Sequence, residues 1–267
     1  MGMAEIIAIC NQKGGVGKTT TSINLSAALA AAEKRTLLID MDAQGNATTG
    51  MGFNKHDVEM SIYDVIADEI DIRRAIQSTD LTYLKMIAAN ASLVGADIEL
   101  VNAVSRETLL KNNIAPIFDD FDYIILDCPP SLGLITLNAL VAAESVIIPV
   151  QCEYYAMEGI ADLQKTITLI QNSLNSNLKI KGIVLTMFDA RNNLAHQVQN
   201  EIRNHFKNNV FQVVIPRNVR LSEAPSHGKP ILLYDVSSKG SISYFELANE
   251  VISTSSAAQI QMASVNE

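Results

Sequence analysis

The chain of 267 residues predicts an α/β fold: a mainly parallel, doubly wound sheet with helices on both faces. Three observations predict it. Short runs such as Leu37-Leu38-Ile39, Ile124-Ile125-Leu126 and Val146-Ile147-Ile148 are apolar without alternation, as strands buried on both faces are. Between them lie stretches with apolar residues at three- and four-residue intervals, the pattern of crossover helices. Two of the runs end in aspartate, Asp40 and Asp127, at the carboxyl ends of strands where parallel sheets gather their ligands. Hydrophobic residues make up 48% and charged residues 18%, which excludes global disorder. A net charge of −9 argues against wholesale nucleic-acid binding and leaves room for a local basic patch.

Taken in order, the first strand is Ile6-Ile7-Ala8-Ile9-Cys10, followed by a glycine-rich turn and a helix carrying Ile23, Leu25, Ala28, Leu29 and Ala32. Thr36-Leu37-Leu38-Ile39-Asp40 is the second buried strand. Residues 46–80 read as short helical pieces and turns over one end of the sheet. Residues 81–88 read as a strand and residues 92–119 as helix, with Leu93, Ile98, Val101, Leu109, Leu110, Ile114 and Ile117 at helical spacing. Residues 123–127 are a buried strand, 133–143 a helix, 145–150 a strand and 155–174 a long helix. Residues 180–187 are a strand and 194–206 an amphipathic helix with Val198, Ile202 and Phe206 on one face. Residues 211–215 form a strand that stops at Pro216. Pro225, Gly228 and Pro230 make 221–231 a tight turn region, and 245–252 is a closing helix. A single domain over residues 1–252 is expected, with a polar tail at 253–267 that frays. No apolar run reaches the length of a bilayer span and no secretory signal pattern is present, so a cytoplasmic location is expected. Cys10, Cys128 and Cys152 lie at or beside apolar runs with no CxxC pair and read as small buried hydrophobes.

The turn after the first strand is Gln12-Lys13-Gly14-Gly15-Val16-Gly17-Lys18-Thr19-Thr20. A glycine-rich loop that opens a helix is a phosphate cradle, because the helix's first N–H groups and positive dipole end face the anion. Gly14, Gly15, Val16 and Gly17 form the loop, Lys18 reaches the β- and γ-phosphates, and Thr19 and Thr20 follow, with the Thr19 hydroxyl a ligand for Mg²⁺. The usual pattern places glycine six residues before the lysine, where this chain has Gln12; it adds a second lysine, Lys13. Asp127 is placed to hold Mg²⁺ through a water beside Thr19; a cap on the following helix is its alternative role. Asp42, just beyond the second strand, is placed to hold an attacking water; its alternative is an ordinary turn residue.

The loop from Lys13 to Thr20, the stretch Asp40-Met41-Asp42-Ala43-Gln44-Gly45-Asn46 and Asp127-Cys128-Pro129-Pro130 resemble the deviant Walker family of P-loop ATPases. Asn11-Gln12-Lys13-Gly14-Gly15, Gln151-Cys152-Glu153-Tyr154-Tyr155 and Leu221-Ser222-Glu223-Ala224-Pro225-Ser226-His227-Gly228-Lys229-Pro230 resemble its Soj/ParA chromosome-partition branch, and the likeness runs from about Ile6 to Ile252. The resemblance implies a slow ATPase that uses ATP and Mg²⁺ and forms an ATP-dependent homodimer. Lys13 would cross to the partner's phosphates, in the manner of an arginine finger. Pro216, Arg217 and Asn218 match the family's adenine-contacting segment. Arg191 and Arg220 match the two arginines that carry non-specific binding of double-stranded DNA. A centromere-binding ParB-type protein is the implied partner that stimulates hydrolysis, and the implied location is cytoplasmic and nucleoid-associated. Arg203, Lys207 and Lys229 would extend the basic patch. A separate module for reading a specific operator is not expected.

Three rival readings separate on sequence features. A membrane-positioning switch of the MinD type ends in a basic amphipathic helix; residues 253–267 contain no Lys or Arg. A reductase with an iron–sulfur cluster between subunits needs two suitably placed cysteines, whereas Cys10 and Cys128 lie beside the nucleotide motifs. A Soj-like paralogue that positions a protein cargo on the nucleoid shares every motif above.

Overall fold

The structure is a computed structural model that describes residues 4–67 and 69–265, and at 97 and 256–265 the backbone alone. In chain order the elements are β1 (Glu5–Ile9), α1 (Lys18–Ala31), β2 (Thr36–Asp40), α2 (Asn46–Gly50), α3 (Ile62–Ile66), α4 (Ile72–Ala75), β3 (Ile76–Ser78), β4 (Leu84–Ile87), α5 (Ala96–Glu99) and α6 (Leu109–Ile114). They continue with β5 (Tyr123–Asp127), α7 (Leu134–Ala142), β6 (Ser145–Gln151), α8 (Ala156–Ser173), β7 (Lys179–Phe188), α9 (Asn193–Phe206), β8 (Val210–Pro216), α10 (Val219–Glu223), α11 (Ile231–Tyr234) and α12 (Lys239–Val265).

The strands form one eight-stranded sheet in the order β3-β4-β2-β5-β1-β6-β7-β8. Every pairing is parallel except that of β3 with β4. Alternation along each strand feeds two cores. Ile6, Ala8, Leu37, Ile39, Ile124 and Leu126 face a layer that includes Ala139 of α7, Leu163 of α8 and Ile202 of α9. Ile7, Ile9, Leu38 and Ile125 face Leu25 and Leu29 of α1 and Leu247 and Val251 of α12. Both faces are therefore covered, as unalternating strands require. The chain moves outward from β1 to β2 and later crosses β1 to lay down β6. That reversal opens a crevice at the carboxyl ends beside β1, the ligand position of open α/β sheets.

Gly182 of β7 lies under Phe211 of β8: a Cβ there would come within 2.6 Å of the ring. The β7–β8 register slips between Ile183 and Leu185, where β8 bulges. The bulge frees the N–H groups of Gln212 and Val213. Both donate to the Glu250 carboxylate of α12, at 2.8 and 2.7 Å. Arg203 donates to the carbonyls of Phe211 and Gln212. The edge strand is thus covered by side chains.

Four expectations need correction. The helix expected over 92–119 is a series of short turns, of which α5 and α6 are the α-helical pieces. Gly95 and Pro116 interrupt it, and Val94, Ile98, Val101 and Val104 face outward. The strand expected at 81–88 is shorter, and β3, which pairs with it antiparallel, has three residues and no apolar run. The turn region at 221–231 is mostly helical, in α10 and a 3₁₀ turn over Ala224–His227. The closing helix does not end at Ile252: α12 reaches Val265, since residues 253–265 contain no Gly or Pro to stop it. Ser255, in the segment expected to fray, donates to Glu5 at 2.6 Å and accepts from Lys181 at 2.9 Å. Residues 266 and 267 of that tail lie outside the described residues.

Candidate nucleotide site

A cleft of about 580 Å³ opens over the carboxyl ends of the strands. Gly14, Gly15, Gly17, Lys18, Thr19 and Thr20 line one part of it; Asp42, Gln44 and Asn46 line another. The remaining wall is Pro130, Thr186, Met187, Ile215, Pro216, Arg217, Asn218, Leu221, Ser222, Pro225 and Tyr244. The sequence-predicted loop, the water-holding candidate Asp42 and the segment Pro216–Asn218 thus come together from positions 200 residues apart.

The loop's shape follows from its glycines. Gly15 and Gly17 have φ of 73° and 86°, in the left-handed region that side chains disfavour. Gly17 precedes α1 without a side-chain cap, so the first-turn N–H groups keep no partner of their own helix and suit an anion. Val16 is buried under the loop, and its carbonyl accepts the Thr186 hydroxyl at 2.8 Å. Asn11 ties the loop's other end: it accepts the Lys13 N–H at 3.0 Å and donates to the Pro149 carbonyl of β6 at 2.8 Å. Thr21 on α1 meets the Tyr244 hydroxyl of α12 at 3.2 Å.

The two lysines part company. Lys18 is buried, and its Nζ donates to the Lys13 carbonyl at 3.0 Å; burial lowers its pKa against the pull of the acidic groups around it. Lys13 lies outside the cleft lining, with its Nζ 2.7 Å from the Glu153 carboxylate at the end of β6.

Asp40 and Asp127 end adjacent strands in direct register and are fully buried. Asp40 accepts the Asp42 N–H and both the N–H and hydroxyl of Thr48, tying down the loop that carries Asp42. Burial still pushes its pKa up to about 6. Burial, and then the charge of Asp40, push Asp127 up to about 8, against the hydroxyls of Ser22 and Thr19. Ser22 donates to Asp127 Oδ1 at 2.8 Å, while Oδ2 has no hydrogen-bond partner among the described residues. Two desolvated carboxylates side by side disfavour double ionisation, and a divalent cation reverses that balance. Asp127, with one oxygen unpartnered and the Thr19 hydroxyl acting on its carboxyl, therefore fits a Mg²⁺ site. Asp127 caps nothing: α7 begins at Leu134.

Arg191 stands in the turn after β7, largely exposed, and Arg220 in α10 just after β8, half-exposed. Each is already paired. Arg191 forks onto Asp189 at 2.9 and 2.8 Å, and its guanidinium holds that carboxyl well below the usual range. Arg220 meets Glu223 at 2.9 Å and Asp235 at 3.5 Å. Cys10, Cys128 and Cys152 are buried free thiols.

Sequence reasoning missed Asn11, Ser22, Thr186 and Tyr244. Their partners lie between 105 and 223 positions away; Ser22 follows the Thr-rich start of α1 and Asn11 opens the Asn11–Gly15 motif, but neither contact could be read from the local sequence.

The family model described as "AAA domain" matches residues 4–180. The chromosome partitioning protein ParA of Myxococcus xanthus is 55% identical over 94% of this chain and 88% of its own. The sporulation initiation inhibitor protein Soj of Bacillus subtilis is 56% identical over 93% of this chain and 98% of its own. Among solved structures, cobyrinic acid a,c-diamide synthase of Mycobacterium smegmatis with bound ADP and magnesium superposes with a TM-score of 0.83, at 35% identity over 94% of both chains. With its motifs gathered at one cleft, the chain belongs to the Soj/ParA family of chromosome-partition P-loop ATPases.

Proposed function

We propose that this chain is an ATP-driven DNA-partitioning switch: ATP joins two copies, the dimer holds DNA without reading its sequence, and hydrolysis releases it. The observation that carries the proposal is the division of labour between the two loop lysines. Lys18 is buried at the cleft, whereas Lys13 lies outside the cleft lining, half-exposed and paired with Glu153, where a second copy could reach it.

In this reading the loop N–H groups and Lys18 take the phosphates, with Gly14, Gly15, Val16, Gly17 and Thr20 as the cradle. Thr19 and, through water, Asp127 hold Mg²⁺, which neutralises phosphate charge when bound. Asp42, on the loop braced by Asp40, orients the attacking water. Pro216, Arg217 and Asn218 contact the base. Each Lys13 adds positive charge at the partner's γ-phosphate, so the isolated subunit hydrolyses slowly. A ParB-type centromere-binding protein and DNA accelerate the reaction. Arg191 and Arg220 from two subunits contact DNA phosphates, which position without specifying sequence. The switch acts in the cytoplasm on the nucleoid, as one domain whose closing helix runs past Ile252. No helix among the described residues is long and apolar enough to cross a membrane.

Size-exclusion chromatography tests the cycle. Asp42→Ala binds ATP and stays dimeric, Lys13→Ala binds ATP and stays monomeric, and Lys18→Ala loses nucleotide. An Asp42→Ala protein that remains monomeric with ATP, while wild type dimerises, contradicts the assignment.

A further inference from the structure

We propose that Ser22 is a positioning residue: it fixes one carboxylate oxygen of Asp127 so that the other stays available to the divalent cation bound with nucleotide. The proposal rests on the Mg²⁺ reading above.

Ser22 sits one turn into α1 and is fully buried, as is Asp127 at the end of β5. Its hydroxyl lies 2.8 Å from Asp127 Oδ1 and 3.1 Å from the Lys18 carbonyl one turn back. Asp127 Oδ2 has no partner among the described residues. The arrangement follows from helical spacing. Thr19 and Ser22 are three residues apart and share the face of α1 that meets Asp127, while Thr21 turns to Tyr244 on the α12 side. A strand-end carboxylate swings about two side-chain torsions. A charge-assisted hydrogen bond from a packed helix removes that freedom and leaves one oxygen pointing to its ligand. Ser22 is not among the residues lining the cleft, so its influence on the cation passes through Asp127.

The experiment uses the whole purified chain and a fluorescent (mant-labelled) ATP, titrated with Mg²⁺. Ser22→Ala is expected to raise the Mg²⁺ midpoint about ten-fold, as loss of a ligand-orienting hydrogen bond does, and to leave metal-free nucleotide binding in EDTA unchanged. Ser22→Cys, close in size with a weaker donor, moves the midpoint in the same direction and serves if the alanine variant does not fold. Adding Ser22→Ala to Asp127→Asn produces no further shift, because residues acting through one another are non-additive. A wild-type midpoint in Ser22→Ala, full additivity with Asp127→Asn, or an equal loss of metal-free binding overturns the proposal. If wild type and all variants bind mant-ATP alike with and without Mg²⁺, the Mg²⁺ reading itself fails, and that pattern is distinct from the others.

Discussion

Lys13 and Lys18 show how much one residue's surroundings decide. They share a loop, but one is enclosed over the phosphate cradle and the other is held by Glu153 at the surface. The glycine–lysine–threonine chemistry was legible because backbone geometry demands it: left-handed positions such as Gly15 and Gly17 admit few residues. The two arginines were legible only as a resemblance, and their pairing with Asp189, Glu223 and Asp235 was not. Those partners bear on the proposed DNA contact, since Arg191 must exchange a carboxylate for a phosphate. Asp189→Asn is expected to tighten binding to any duplex by about two- to five-fold, the range an exposed ion pair supports. Fluorescence anisotropy on two unrelated duplexes measures it; unchanged or weaker binding places the phosphate contact elsewhere.

At the level of elements, buried strands and long helices were readable because their spacing follows directly from which faces are covered. Short elements were not. Residues 92–119 carry helical spacing, and Leu93, Leu110, Ile114 and Ile117 are buried while Ile98 and Val101 are exposed, so the spacing runs across separate short turns rather than along one continuous face. The end of α12 escapes the sequence for the opposite reason: a run of polar residues reads as a loose tail, while Ser255 within it is tied to Glu5 and Lys181 across the chain. The edge of the sheet supplies a stability prediction. Glu250 accepts both N–H groups freed by the β8 bulge, so Glu250→Ala leaves two donors without their acceptor. The expected cost is about 1–3 kcal/mol, read as a lowered denaturant midpoint, together with faster aggregation on warming as the edge is uncovered. A midpoint equal to wild type would show that water replaces the carboxylate.

The whole molecule carries a net charge of −9, so a single copy is repelled by duplex DNA at long range and the proposed binding depends on doubling a small patch. Two arginines from each of two subunits make about four phosphate contacts, which predicts a log–log salt slope of about −3.6. Raising salt from about 50 to about 200 mM then weakens binding roughly 100-fold. A slope near zero, or equal affinity with ATP and ADP, removes the patch from the account. The two-core sheet explains why the fold class was legible from apolar runs, whereas the proposed dependence of one site on a second copy rests on a single lysine outside the cleft lining.

That dependence, Lys13 acting in trans, is tested most directly by mixing two inactive variants. Lys13→Ala keeps Asp42 but gives its partner no lysine; Asp42→Ala gives the lysine but cannot orient water. Each alone hydrolyses ATP at a small fraction of the wild-type rate. In a mixed dimer the Lys13→Ala subunit has its own Asp42 and receives Lys13 from the other copy, so an equimolar mixture recovers turnover well above that of either variant alone, from the one complete site in each mixed dimer. A mixture no more active than its components, although the two chains are shown to pair, would contradict the account and return Lys13 to its own active site.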